Sequence, residues 1–213
     1  MLAFIGMWET LAVLVLILVL VLFRMLASSG SQRPAKRGEE GDLAQQMAND
    51  FWLLLAQGLG AGRIPFAPGT FGSLLGMLWF LVLVDLGVLW MYLAGCVLGM
   101  LASVWLSGKA EVILKQKDPS SVVVDETIAL PICFLPWVVA EWWRQGSVPE
   151  PDHFFFQTNA WATLLIFVLF RVFDIAKPWP IKQSQRLRGG WGVTMDDVLA
   201  AVYVALMTLV LVL

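Results

Sequence analysis

The chain has 213 residues, 59% of them hydrophobic, and a net charge of −2 from 14 basic and 16 acidic side chains. Soluble domains are about 45–50% apolar by a similar count, so the composition points to a single membrane-embedded domain, and the weak net charge excludes the basic field a nucleic-acid binder uses. One histidine, His153, and two cysteines apart in apolar runs, Cys96 and Cys133, leave neither a zinc site of the usual ligand types nor a disulfide framework.

A membrane-spanning helix needs roughly 20 apolar residues. The first candidate, Leu2–Phe23, is apolar apart from Glu9 and Thr10. No Lys or Arg precedes it, whereas a signal peptide opens on a basic stretch, so residues 1–27 read as an uncleaved N-terminal anchor. Residues 28–42, SSGSQRPAKRGEEGD, are small and charged and read as a flexible linker. The remainder, 43–213, reads as one membrane-embedded catalytic domain. It opens with LAQQMANDFWLLLAQ, in which Leu43, Met47, Phe51, Leu54 and Leu55 recur at helical spacing opposite Gln46, Asn49 and Asp50, the pattern of a helix lying in the interface. Then come Leu74–Val84, lengthened if its helix starts near Thr70, and Val88–Leu106, split from it by Asp85-Leu86-Gly87. Ile128–Val139 is short and runs into Glu141-Trp142-Trp143-Arg144; Phe154–Phe173 is long; Val198–Leu213 closes the chain. The expectation is an all-α polytopic membrane bundle of about six membrane segments, one anchor plus a five-segment core, with a short interfacial helix.

With six crossings and the N-terminus outside, the inner loops hold 13 of the 14 Lys and Arg and the outer ones only Arg144. Positive charge accumulates on the cytoplasmic side, so this count supports both the topology and its orientation. Four unusual stretches then share the cytoplasmic face: GLGAGRIPFAPGTFGS, KDPSSVVVDET, FRVFDIAKPWPI and RGGWGVTMDD.

Each stretch admits two readings. In the first, Pro68-Gly69-Thr70 forms a turn, Thr70 is placed to cap the next helix and Ser73 lies one turn inside; a helix N-terminus with Arg63 nearby suits a phosphate, while a capped turn with close glycine packing needs no ligand. Asp125-Glu126 precedes an apolar helix, where the macrodipole favours acids even without a metal, yet Mg2+ asks for such carboxylates plus waters. Asp118, before Pro119, is a weaker candidate. Arg171, Asp174 and Lys177 stand one turn apart as plus, minus, plus, which fits either an ion-pair ladder or a metal-phosphate site. Asp196-Asp197 follows a glycine-rich loop and suits either a helix cap or a metal. Taken jointly, five carboxylates on one face among Arg and Lys favour a site where a metal and cations engage a phosphate.

Together GLGAGRIPFAPGTFGS, VVVDE, FRVFDIAKPWPI and GGWGVTMDD resemble the phosphatidylglycerophosphatase A family over about residues 50–205. The resemblance implies a Mg2+-dependent phosphatase that converts phosphatidylglycerophosphate to phosphatidylglycerol in phospholipid biosynthesis, at the cytoplasmic face of the bacterial inner membrane, with a phospholipid as substrate and no nucleic-acid partner. By motif match the metal-binding positions are Asp125, Glu126, Asp174, Asp196 and Asp197. Asp174, Lys177, Arg171 and Asp197 would be catalytic, and Arg63, Thr70 and Ser73 would bind phosphate. The chain departs from the family pattern at Ala129, where a glycine is expected three residues after the Asp-Glu pair, and at Ala201, a small-residue position that is often glycine; both changes concern helix packing more than chemistry. Attack by water and an aspartyl-phosphate route both remain open. The alternative is a small transporter with the carboxylates as ion ligands; transporters place such groups near the midplane, often in repeated halves, whereas these acids lie at segment ends.

Overall fold

The computed structural model describes residues 39–156 and 159–212. The chain divides into two units after Ala48; of the first, the described part is the helical stretch 39–48, and the second, Asn49–Leu213, holds all the acidic motifs. The expected anchor and most of the linker lie outside the described residues.

Helix α1 (Glu39–Ala56) leads into a 3-10 turn (Gly58–Arg63). Four long helices follow: α2 (Pro68–Asp85), α3 (Leu89–Leu114), α4 (Val124–Gln145) and, after the single turn α5 (Asp152–Phe155), α6 (Ala160–Ala176). A second single turn, α7 (Ile181–Ser184), precedes α8 (Gly190–Val212). No strand occurs among the described residues, as the all-helical reading requires. Three helices, α2, α3 and α8, are long and apolar enough to cross a membrane, and each buries only 33–39% of its most apolar stretch inside the protein. The outward remainder is the apolar surface that lipid contact needs. Helix α4 carries charges at both ends, and α6 has 17 residues, so length and composition alone support three spans among the described residues, where the five-segment core is expected.

Several boundaries differ from expectation for identifiable reasons. Helix α2 begins at Pro68, whose fixed φ and missing N–H suit the first helical position. Its cap is Ala67 in a left-handed conformation (φ 47°, ψ 53°), so Thr70 is not the cap; its N–H donates to Ala67 O at 2.9 Å. Helix α4 outruns Ile128–Val139 because it continues through Pro131 and Pro136. An interior proline frees the carbonyl four residues earlier, here those of Thr127 and Ile132. Neighbouring helices pack closely around this stretch. Tyr92 Oη of α3 donates to Pro131 O at 2.6 Å, and Gly76 of α2 faces Thr127 O so closely that an added Cβ would stand 3.0 Å away.

The apolar run Phe154–Phe173 is not one helix. Phe156 is extended (φ −116°, ψ 166°) between α5 and α6. Asn159 Nδ2 donates to His153 O at 2.8 Å and Thr163 Oγ1 to Phe154 O at 2.5 Å, so polar side chains satisfy the carbonyls of the broken turn. Finally, α8 starts at Gly190, which puts Asp196 and Asp197 in its second turn; the capping reading of that pair is therefore incorrect.

Helix α4 is the centre of the bundle, packed against α2, α3, α6 and α8. Its Phe134 stacks on Phe80 of α2 (centroids 4.1 Å apart), and Phe154 stands edge-on to Phe80 and to Trp137 at 5.1 and 5.0 Å. These rings are buried, and such aromatic contacts are worth about 0.5–1.5 kcal/mol each beyond area burial. Near the acidic end a second apolar cluster joins Leu53 and Ala56 of α1 to Leu106, Ala110, Val122, Val124 and Val193. Lys109 on α3 lies between the rings of Trp52 and Trp105, 4.4 Å from each centroid, a double cation–π contact tying the end of α1 to α3.

At Gly190 the start of α8 touches α3 so closely that a Cβ would overlap the Val104 carbonyl and the Gly108 nitrogen, both backbone atoms with nowhere to go. Gly190→Ala is expected to cost about 1–3 kcal/mol by overpacking, read as a lowered thermal midpoint in detergent. An unchanged midpoint would show that the crossing yields.

Candidate active site

Asp125 and Glu126 occupy the first turn of α4, where free N–H groups and the macrodipole stabilise negative charge. Asp125 is buried, and its Oδ1 accepts from the Glu126 N–H at 3.1 Å. Asp197 comes down from α8, where it is 3% exposed. One carboxylate oxygen from each of Asp125, Glu126 and Asp197 lies within 4.8 Å of the others. Helix α8 delivers Asp197 here because α4 and α8 pack along their length and the Gly190 contact fixes where α8 starts.

The first turn of α2 forms another wall. Gly69 and Gly72 are buried there, and a Cβ on Gly69 would stand 2.5 Å from Glu126 Oε1 and 2.9 Å from Arg171 Nη2. Glycine here lets the Glu126 carboxylate and the Arg171 guanidinium approach the helix closely; a Cβ would push these side-chain ends aside. Arg171 Nη1 donates to Asp174 Oδ2 at 2.6 Å and to Ser73 Oγ at 3.2 Å; Ser73 Oγ in turn donates to Gly69 O at 2.9 Å. Lys177 closes α6 in a left-handed conformation (φ 43°, ψ 58°). That turn points its ammonium at Asp196 Oδ2, with Asp174 Oδ1 at 3.9 Å. Burial by itself would lower the Lys177 pKa. The hydrogen bond to Asp196 and the charges of Asp196, Asp197 and Asp174 outweigh burial and hold it above the ordinary lysine value, so the ammonium stays charged at any physiological pH.

The plus, minus, plus stripe of α6 is thus a real ladder, and it continues onto α8 through Asp196. Among the candidates, Asp125, Glu126 and Asp197 converge, while Asp174, Arg171, Lys177, Asp196 and Ser73 form the adjoining chain of contacts. Thr70 is half-buried in the first turn of α2. Arg63 is exposed, and its Nε donates to Gln57 Oε1 at 2.6 Å, away from the acids. Gln57 is buried and also donates to Ser121 Oγ at 3.1 Å, joining the 3-10 turn to the loop before α4. Sequence reasoning passed over one more residue, Gln185. Gln185 Nε2 donates to Asp196 Oδ2 at 2.9 Å and to Asp118 Oδ2 at 3.2 Å. Its position in the polar run between two motifs was the available signal.

A divalent cation fits this chemistry. The donors are hard carboxylate oxygens; Asp197 feels the charges of Asp174, Asp125, Glu126 and Asp196; and two buried carboxylate oxygens, Glu126 Oε2 and Asp196 Oδ1, have no hydrogen-bond partner. Native proteins rarely leave such atoms unmatched. The cluster could hold a metal ion, beside two cations able to neutralise an anionic ligand.

Residues 54–212 match the family described as "Phosphatidylglycerophosphatase A". The chain is 34% identical over 152 residues (70% of it and 82% of the relative) to the "Phosphatidylglycerophosphatase A" of Haemophilus influenzae, and 33% identical over 155 residues (71% and 77%) to that of Escherichia coli. It is also 38% identical over 155 residues (71% and 87%) to a Bacteroides thetaiotaomicron protein named "Putative phosphatidylinositol-3-phosphatase". No solved structure matches the chain.

Millimolar Mg2+ is expected to raise the thermal midpoint of the detergent-solubilised protein, since a ligand that binds only the folded state stabilises it. Asp197→Asn is expected to abolish that rise, whereas Ser73→Ala, which leaves the Arg171–Asp174 pair in place, is expected to keep it. A full rise in the Asp197 variant would exclude that residue as a ligand.

Proposed function

The chain belongs to the phosphatidylglycerophosphatase A family, and from that premise we propose that it is a Mg2+-dependent lipid phosphatase acting on phosphatidylglycerophosphate. The observation that carries the reading is the convergence of Asp125, Glu126 and Asp197 beside the Arg171–Asp174–Lys177–Asp196 chain.

In this reading Asp125, Glu126 and Asp197 hold Mg2+, with the buried, unpartnered Asp196 Oδ1 as a further ligand oxygen and Asp174 beside them. When bound, the ion supplies a Lewis acid for the phosphoryl oxygens. Arg171 and Lys177 neutralise charge that spreads over the phosphoryl group as it transfers, and the ladder keeps both heads in place before substrate arrives. The N-terminal turn of α2, with the Thr70 hydroxyl, donates to a phosphate oxygen; Arg63 contacts the outer part of the headgroup after exchanging its Gln57 bond for it. The reaction breaks the bond between phosphorus and the terminal glycerol oxygen. It consumes one water, whose oxygen ends on phosphate, and a proton passes to the glycerol oxygen, leaving phosphatidylglycerol. Either direct attack by water or prior attack by an aspartate satisfies this balance.

In the same reading this end of the bundle faces the cytoplasm at a bacterial inner membrane, which the 13 of 14 Lys and Arg on inner loops of the six-crossing topology support. Helix α4, at 22 residues, is about 33 Å long and α6, at 17, about 26 Å. Both come near the thickness of the hydrocarbon core if their charged ends reach the interfaces, which supports the five-segment core of this reading. The Bacteroides relative's name raises a second substrate, a phosphoinositide 3-phosphate, which is also a lipid phosphate monoester.

Purified enzyme with phosphatidylglycerophosphate in mixed micelles is expected to release phosphate with Mg2+ and to stop on chelation. Asp174→Asn is expected to lower kcat by about 100-fold or more, as loss of a preorganised charge does, with the folded fraction unchanged. Faster turnover of phosphatidylinositol 3-phosphate would reassign the substrate; turnover unaffected by chelation would remove the metal. A cysteine placed at position 120 is expected to resist labelling from outside intact cells.

A further inference from the structure

Asp196 is the residue of this site whose two oxygens are treated most differently. Oδ2 accepts from both the Lys177 ammonium and the Gln185 amide, while Oδ1 is buried without a partner. A carboxylate turns readily about its last torsion, because that torsion is broad and two-fold. Lys177 alone therefore does not decide which oxygen it holds. The second donor decides it. Gln185 is half-buried, and its Nε2 carries two hydrogens, one for Asp196 Oδ2 and one for Asp118 Oδ2. Asp118 is fixed in turn: its backbone is left-handed (φ 49°), and its N–H donates to Glu111 Oε1 at 2.9 Å. A line of contacts therefore runs from α3 through the loop before α4 to the turn before α8, and ends on one oxygen of Asp196.

We propose that Gln185 is a positioning residue that keeps Asp196 Oδ1 free for the divalent cation, with Asp118 as its anchor. This rests on the metal-site reading above, and it adds a role for a loop whose acid was otherwise a turn former. Outer partners that orient ligating carboxylates characteristically change metal affinity by 10–100-fold when removed. Replacing the amide by an apolar or acidic group leaves Asp196 free to turn, and an acidic group also sets a carboxylate between two others.

The test is Mn2+ binding to the purified full-length protein in detergent, followed by electron paramagnetic resonance, together with the Mg2+ concentration for half-maximal phosphate release. Gln185→Leu is expected to weaken Mn2+ binding about tenfold and to raise the Mg2+ requirement by a similar factor, with kcat at saturating Mg2+ and the metal-free thermal midpoint both near wild type. Gln185→Glu is expected to be weaker still. Asp118→Asn, which keeps an acceptor for the Gln185 amide, is expected to bind Mn2+ as wild type does, whereas Asp118→Ala is not; this pair carries the test if the Gln185 variants fail to fold. Wild-type affinity in folded Gln185→Leu, or equal affinity in the two Asp118 variants, would overturn the proposal while leaving the metal site intact. Absence of Mn2+ binding by the wild-type protein would overturn both.

Discussion

Five carboxylates, Asp125, Glu126, Asp174, Asp196 and Asp197, are gathered at one end of an apolar bundle, and the burial of these acids, with their mutual repulsion, is the constraint the rest of the structure answers. Two cations, Arg171 and Lys177, are in contact with them, and each is held by an aspartate. Buried like charges are tolerated only when paired, bonded or bound to metal. The fold supplies the first two in part: the N-terminus of α4 beneath Asp125 and Glu126, the α6 ladder, and amide donors from Gln185. What remains uncompensated is negative and oxygen-rich, a set of donors that could hold a metal ion.

The same constraint explains the backbone around the site. Ala67, Asp118 and Lys177 all adopt left-handed conformations although none is glycine, and all three lie at this end of the bundle. Ala67 sets the first turn of α2 and Lys177 closes α6 and turns back toward Asp196, while Asp118, inside the loop between α3 and α4, faces Gln185. Local strain of this kind persists where surrounding contacts over-determine it, and it gathers at functional sites. The buried glycines act alongside, since Gly69 lets Glu126 and Arg171 lie on a helix surface and Gly190 lets α8 reach α3.

The acidic motifs were legible because a charge beside an apolar run is costly enough to stand out, and the Arg171–Asp174–Lys177 spacing translates directly into one helix face. The break at Phe156 was not legible, since apolar residues continue across it and only tertiary bonds from Asn159 and Thr163 reveal where the helix stops. The path of α4 through Pro131 and Pro136 was hidden similarly: proline predicts an end, and neighbouring helices override it. Thr70 had the right residue type for a cap but sat inside a helix that Pro68 had already begun. Gln185 and Asp118 are 67 positions apart, and no periodicity links two loops. Local chemistry was readable in the chain, whereas pairings between connections were not.

The connection from Gly146 to Asn159 lies at the far end of α4, about 30 Å from its acidic first turn by helical rise. Before that connection the chain supplies Ser73, Asp125 and Glu126; after it come Arg171, Asp174, Lys177, Asp196 and Asp197. Neither half owns a complete site, and the two meet through the packing of α4 and α2 against α6 and α8. The acidic cluster is thus an internal interface between two fragments of one polypeptide. A chain nicked at that distant loop would regain its chemistry only when its pieces reassociate, which makes turnover itself a reporter of helix assembly in the bilayer.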